Sequence, residues 1–197
     1  MGCYSDNGVD ATVEPLLPAF GYACEVGANS GTNRSNTMAF EEKGWMVLCV
    51  EANPLLEASG RASRKLWRQV ACSDADAEDV EFCSVGGFPH ESCSSLDGTR
   101  YGSSDITSRH RVSTRRLDRI LEEAGFPRLD YLAIDVEGWE QEVLAGFTIE
   151  RWKPTIIVLE DYLARYPGIT GYSELSKMTF DRVFKRNDPP QEAEPGN

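Results

Sequence analysis

The chain reads as an α/β domain: a mostly parallel sheet with helices on both faces. Three observations predict it. Apolar runs alternate with helix-sized stretches in the order β-α-β-α-β…α-β-α-β, which a two-sided parallel sheet requires. Four of those runs are near-continuously apolar, as strands covered on both faces must be. The first run, Tyr22-Ala-Cys-Glu-Val26, ends at a carboxylate and a glycine turn, Gly27-Ala-Asn-Ser-Gly31, and the second, Met46–Glu51, ends at a carboxylate again. Such a pair builds a nucleoside pocket: backbone close to the ligand at the first turn, an acid for ribose hydroxyls at the second strand end.

Residues 1–20 form a polar lead with Pro15 and Pro18, and residues 20–186 the domain. Strand one is Tyr22–Val26. Ser35 or Asn36 can cap a helix through Glu42, stopped by Gly44. Strand two is Trp45–Glu51. Pro54 suits the first turn of a helix reaching about Trp67. Strand three is Gln69–Cys72, and Val80–Cys83 alternates like a further strand. The stretch 85–111 is rich in Ser and Gly without an apolar period. A structureless segment of more than ~15 residues in a compact domain is usually a lid or disordered. Ser113–Ala124 is the clearest helix, with Leu117, Ile120, Leu121 and Ala124 on one face; Ser113 or Thr114 would cap it. Strand four is Tyr131–Asp135, a helix covers Trp139–Ala145, and strand five is Thr155–Glu160. Beyond it, Ser173–Lys177 reads as a helical turn and Phe180–Phe184 as one more strand, so the sheet is expected to be truncated at its last strands. Residues 187–197 read as a loose tail.

The 197 residues suffice for one domain with a core. A net charge of −12 argues against general nucleic-acid binding, because an acidic surface gains nothing from counterion release. Basic residues cluster at Arg61–Arg68 and Arg109–Arg119, either as solvated helix faces or as a local anion patch. Cys24, Cys49 and Cys72 fall inside apolar runs and read as small buried hydrophobes. No Cys-x-x-Cys pair is present, which argues against a zinc ribbon. Thiols inside strands, without framework spacing, predict a reducing compartment. No run approaches the ~20 apolar residues a membrane span needs, so a cytoplasmic protein is expected.

The turn Gly27-x-x-x-Gly31 lacks the third glycine of the dinucleotide fingerprint and the Gly-Lys-Ser/Thr of a phosphate loop. Glu25, in an apolar strand end, is costly to bury unless hydrogen-bonded or facing a cation. Either a ligand bearing an amino group and a sulfonium or amides of the adjacent loop would serve. Glu51 can accept two hydrogen bonds from a ribose diol. Ser73-Asp74, after strand three, could read an adenine amino group or be an ordinary turn. A second acidic signature follows strand four: Asp135-Val-Glu137-Gly-Trp-Glu140. Asp135 and Glu137 could orient a hydroxyl, act as general base, or hold a divalent metal; no metal is predicted. Glu140 and Glu142 suit a helix N-terminus. His90 and His110 in the long loop are further base candidates.

Several separated motifs occur in one order: Cys24–Gly31, Ser35-Asn-Thr37, Lys43-Gly-Trp45, Val50-Glu-Ala-Asn-Pro54, Ile134–Glu140 and Val143-Leu-Ala-Gly146. This pattern resembles the FkbM family of S-adenosylmethionine-dependent methyltransferases over residues 20–160. The resemblance implies the class I methyltransferase (Rossmann-like) sheet. It implies S-adenosyl-L-methionine contacts at Glu25, Gly27, Asn29, Gly31, Glu51, Ala52, Ser73, Asp74 and Asp135. It implies O-methylation of a glycan or small-molecule acceptor, and for that chemistry Asp135 and Glu137 are the catalytic base candidates. Two other readings stand beside it. An NAD-dependent oxidoreductase or epimerase would want the third glycine and a Tyr-x-x-x-Lys pair, and neither is present. A non-catalytic cofactor-binding module would share the fold without the chemistry.

Overall fold

The computed structural model describes residues 4–86, 94–96, 105–161 and 167–187. Its strands are β1 (Tyr22–Val26), β2 (Met46–Glu51), β3 (Leu66–Gln69), β4 (Ala71–Cys72), β5 (Ala77–Val85), β6 (Ile106–Arg115), β7 (Tyr131–Ile134), β8 (Ile156–Glu160), β9 (Tyr172–Lys177) and β10 (Asp181–Arg186). Its helices are α1 (Val9–Val13), α2 (Met38–Glu42), α3 (Glu57–Ser63), α4 (Leu117–Glu123), α5 (Glu140–Ala145) and α6 (Ile149–Trp152).

Among the described residues the main sheet has seven strands in the order β3-β2-β1-β7-β8-β10-β9. The first five are parallel, while β10 runs antiparallel to both its neighbours. Strand order reverses between β1 and β7, so a crevice opens at their carboxyl ends, where open α/β sheets bind ligands. The period-2 alternation of each strand sends side chains to two cores. Cys24, Leu48, Leu132 and Ile157 pack on one face with Leu117, Ile120 and Leu121 of α4, Val143 of α5 and Trp152 of α6. Ala23, Val47, Tyr131 and Ile156 pack on the other with Val9 and Val13 of α1 and Phe40 of α2. The predicted two-sided sheet is therefore present. Cys24, Cys49 and Cys72 are buried free thiols, as expected, and so is Cys83.

Several predicted elements differ. The sheet is not short of its last strands: β9 occupies the stretch read as a helical turn and pairs with β10. It is a polar edge strand, whose side chains carry no apolar alternation to announce it. Residues 106–111, read as loop, belong to β6, as do Ser113 and Thr114, read as helix caps. β6 pairs with β5 in a second, three-stranded sheet, order β4-β6-β5. Its arginines are matched by acids of β5: Arg109 with Glu81, Arg111 with Asp79, Arg115 with Glu78. That cluster is a cross-strand charge ladder rather than a helix face or an anion patch. α4 thus begins later, behind Arg116, with no side-chain cap. The helix after Pro54 ends at Ser63, because Leu66–Gln69 leaves it to become edge strand β3. The polar lead is structured too: Val9 and Val13 are wholly buried. Of the tail, residues 188–197 lie outside the described residues. Among the described residues no helix is long and apolar enough to cross a membrane.

Candidate active site

The glycine turn after β1 is held from below by a buried ionic network. Glu25, 4% exposed, accepts from Ser35 Oγ (2.8 Å), Asn36 N (2.6 Å) and Thr37 Oγ1 (2.5 Å). Arg64, whose side chain is fully buried, donates to Glu41 (2.7 Å), to the Gly31 carbonyl (2.8 Å) and to Thr37 Oγ1 (2.8 Å), and lies 3.4 Å from Glu25. The cation that Glu25 needs is therefore in the protein. The loop-amide expectation holds in extended form, and a ligand cation is not required to explain the burial. Gly27 has φ +86°, and a Cβ there would sit 1.7 Å from the Asp135 carbonyl oxygen. Only glycine lets the turn and the end of β7 approach this closely.

Glu51 ends β2 one strand away. Its Oε2 accepts from Asn29 N (2.8 Å) and its Oε1 from Asn53 N (2.7 Å). Burial pushes its carboxyl up to about 7, although the backbone N–H groups of Asn53, Asn29 and Ala52 pull the other way. A carboxylate offers about four lone-pair sites, so these three amides leave it capacity for a further donor. Asn29 reaches this position at φ +51°, a left-handed conformation that Asn tolerates.

The carboxyl end of β7 gathers acids. Asp135, Glu137 and Glu160 bring one carboxylate oxygen each within 4.8 Å of one another, and Asp181 stands opposite Glu160 in the β8–β10 register. Asp135 Oδ1 is a buried acceptor with no hydrogen-bond partner among the described residues. Burial first, then Glu160, Glu137, Glu140 and Asp181, push the Asp135 carboxyl well above the usual carboxylate range. Burial and then Asp6 push Asp181 up to about 6. Desolvation and mutual repulsion both favour the protonated forms of Asp135 and Asp181. Three converging carboxylate oxygens are also a donor set a divalent cation accepts. Glu140 does a different job: its Oε1 accepts from Val136 N (3.2 Å) and Gly138 N (2.9 Å), closing the turn before α5.

Between these groups lies a cavity of about 410 Å³. Its lining includes apolar side chains at Leu56, Val70, Ala71, Cys72 and Phe82, and the carboxyl groups of Glu51, Asp135, Glu137, Glu160 and Asp181. The sequence model of the Methyltransferase FkbM domain matches residues 25–186, which takes in every strand that forms this cavity's floor except the first residues of β1.

The chain belongs to the FkbM methyltransferase family.

Among solved structures, the methyltransferase FkbM from Methylobacillus flagellatus KT superposes with a TM-score of 0.53 at 14% identity. The match covers 88% of this chain and 46% of that one, so the chain spans about half the length of that protein. At such identity the likeness speaks for the fold alone. No curated protein matches the chain.

In this family member the cavity brings together Glu25, Gly27, Asn29, Glu51, Ala52, Asp135 and Glu137. Three predicted cofactor residues do not reach it. Gly31 is packed against Ser63 and Arg64. Ser73 accepts from Trp139 Nε1 (3.2 Å) and donates to Asp74 (3.0 Å), and Asp74 is exposed to solvent. The strand-three wall is instead Val70–Cys72, because β4 ends one residue before Ser73. His110 bonds Ser108 at 2.8 Å on β6, away from the cavity wall; His90 lies outside the described residues. Sequence reasoning missed Arg64, Glu160, Asp181 and the lead residue Asp6, which joins the wall and pairs with Arg34 at 3.3 Å. Glu160 had a signal: it is an acid ending a buried strand, like Glu25 and Glu51. Arg64 had none, since its partners are 23 to 39 residues away.

Proposed function

We propose that this protein is an S-adenosylmethionine-dependent methyltransferase, and that the acceptor is a hydroxyl on a glycan or small molecule. The observation that carries the reading is Glu51. It is a buried strand-end carboxylate in a cavity wall, held by the amides of Asn29, Ala52 and Asn53, and its two oxygens can accept the two hydroxyls of a diol. The residues fit the cofactor: apolar side chains for a flat base, an acid for ribose hydroxyls, and acidic groups for a sulfonium and amino group. The strand order, with one antiparallel member near the edge, supports the class I methyltransferase sheet. Bound S-adenosylmethionine would supply a methyl group on a cationic sulfur.

The chain's own residues do the rest. Gly27 and Asn29 bring backbone to the cavity, Glu51 orients the sugar, and the acidic groups face the acceptor. Asp135 is the leading base, because its unpartnered Oδ1 is placed to receive the hydroxyl proton, with Glu137 beside it. Such alignment is worth up to ~7–11 kcal/mol of barrier, and a base a further ~10²–10⁴-fold. Thermal-shift titration tests the reading. S-adenosylmethionine and its demethylated product should raise Tm, and NAD should not. Stabilisation by NAD alone would favour the oxidoreductase reading. Binding without transfer across a broad acceptor panel would favour a non-catalytic module.

A further inference from the structure

Glu137 and Gly138 follow one another at φ +57° and +100°. Glutamate in this region is strained, because its Cβ crowds the backbone, and such a residue persists only where its surroundings over-determine it. Here the peptide joining the two residues is gripped on both edges. Its N–H donates to Glu140 Oε1 at 2.9 Å. Its carbonyl accepts from Ser95 Oγ at 3.1 Å. Glu140 belongs to the same turn, but Ser95 comes from the connection between β5 and β6, 42 residues earlier.

Ser95 is itself firmly held. It is 1% exposed, and its backbone exchanges two hydrogen bonds with Cys83 of β5, both 3.0 Å. Its neighbours Ser94 and Leu96 line the cavity, and Ser94 Oγ takes the Val85 amide at 3.2 Å. The hydroxyl therefore ties the second sheet to the one peptide whose orientation aims Glu137 at the cavity.

We propose that Ser95 is a positioning residue: by pinning the Glu137 carbonyl it holds the Glu137 carboxylate at the acceptor end of the cavity. The role at that end rests on the methyltransferase reading; the pinning does not. With the hydroxyl gone, the peptide can rotate out of the left-handed conformation, and Glu137 leaves Asp135.

A double-mutant cycle on the full chain tests this without ligand. Glycine at 137 adopts the same φ at no steric cost, so the pin matters less there. Ser95→Ala should lower Tm by ~2–4 °C in the native background and by less than half as much in the Glu137→Gly background. Ser95→Thr, which keeps the hydroxyl, should restore Tm. Hydrogen exchange at the Gly138 amide should quicken about fivefold in Ser95→Ala. Equal Tm losses in the two backgrounds would overturn the proposal, since Ser95 would then serve only its own loop. Titration of the same variants with S-adenosylhomocysteine separates the two readings. No stabilisation of the native protein by that probe would sink the cofactor assignment, while the coupling measured between Ser95 and Glu137 would still stand or fall by itself.

Discussion

Replacing Glu51 by Gln should change the pH dependence of both stability and ligand affinity, in opposite senses. The carboxyl of Glu51 rises from 4.5 to about 7 on folding, chiefly through burial. That rise corresponds to roughly 3 kcal/mol of preference for the protonated form in the fold. The folded value lies above the unfolded one, so the contribution is full below pH 4.5 and is lost as pH rises through about 7. Native protein should therefore lose up to ~3 kcal/mol relative to Glu51→Gln between pH 4.5 and pH 8. In a chain of this size that is a relative Tm change of ~6–12 °C. Ligand affinity moves the other way. A ribose diol donating to both oxygens prefers the carboxylate, so affinity of S-adenosylhomocysteine should climb as pH rises through about 7, with protons released on binding. Denaturant melts of both proteins across this window, with calorimetry in two buffers of different ionisation enthalpy, read out both effects. A pH-independent stability difference would refute the burial argument. A pH-independent affinity would refute the diol contact.

Four further outcomes follow from the geometry. Gly27→Ala places a methyl 1.7 Å from the Asp135 carbonyl and should cost roughly 3 kcal/mol or more in denaturant unfolding. Arg64→Met strands Glu25 and Glu41, whose side chains are 5% and 6% exposed, and should cost about 3–5 kcal/mol by the same measurement; a loss under ~1 kcal/mol would mean the network is not a support for the turn. Asp135→Asn should retain S-adenosylhomocysteine binding and lose at least ~10²-fold in methyl transfer to any accepted substrate, measured with labelled donor. Ser73→Ala should leave the Kd for S-adenosylhomocysteine within about twofold, because Ser73 is bonded to Trp139 and lies outside the cavity wall; a tenfold weakening would restore it to the site.

The buried strands were legible because their signal is local. Tyr22–Val26 reads identically in sequence and structure, and Glu51 closes β2 as expected. Covered on both faces, these strands have little freedom in composition. Strands β6 and β9 were not legible. Each is one-sided, and each depends on a partner for its hydrogen bonds and charges, as Arg115 depends on Glu78. The site divides the same way. Gly27, Glu51 and Asp135 sit at strand ends that the pattern marks. Glu25 was marked too, but its counter-ion Arg64 lies at the far end of α3, at a position that resembles any surface arginine.

The two-sided sheet, the glycine turn and the row of strand-end carboxylates follow from local pattern alone, since apolar period, turn chemistry and motif order are properties of neighbouring residues. Which carboxylates meet depends on how the folded chain packs. That packing brings Glu160 and Asp181 to Asp135, turns Ser73 away from the cavity, and carries Ser95 across to Glu137. Those pairings join residues far apart in the chain, and their energies depend on burial and distance, which no local pattern encodes.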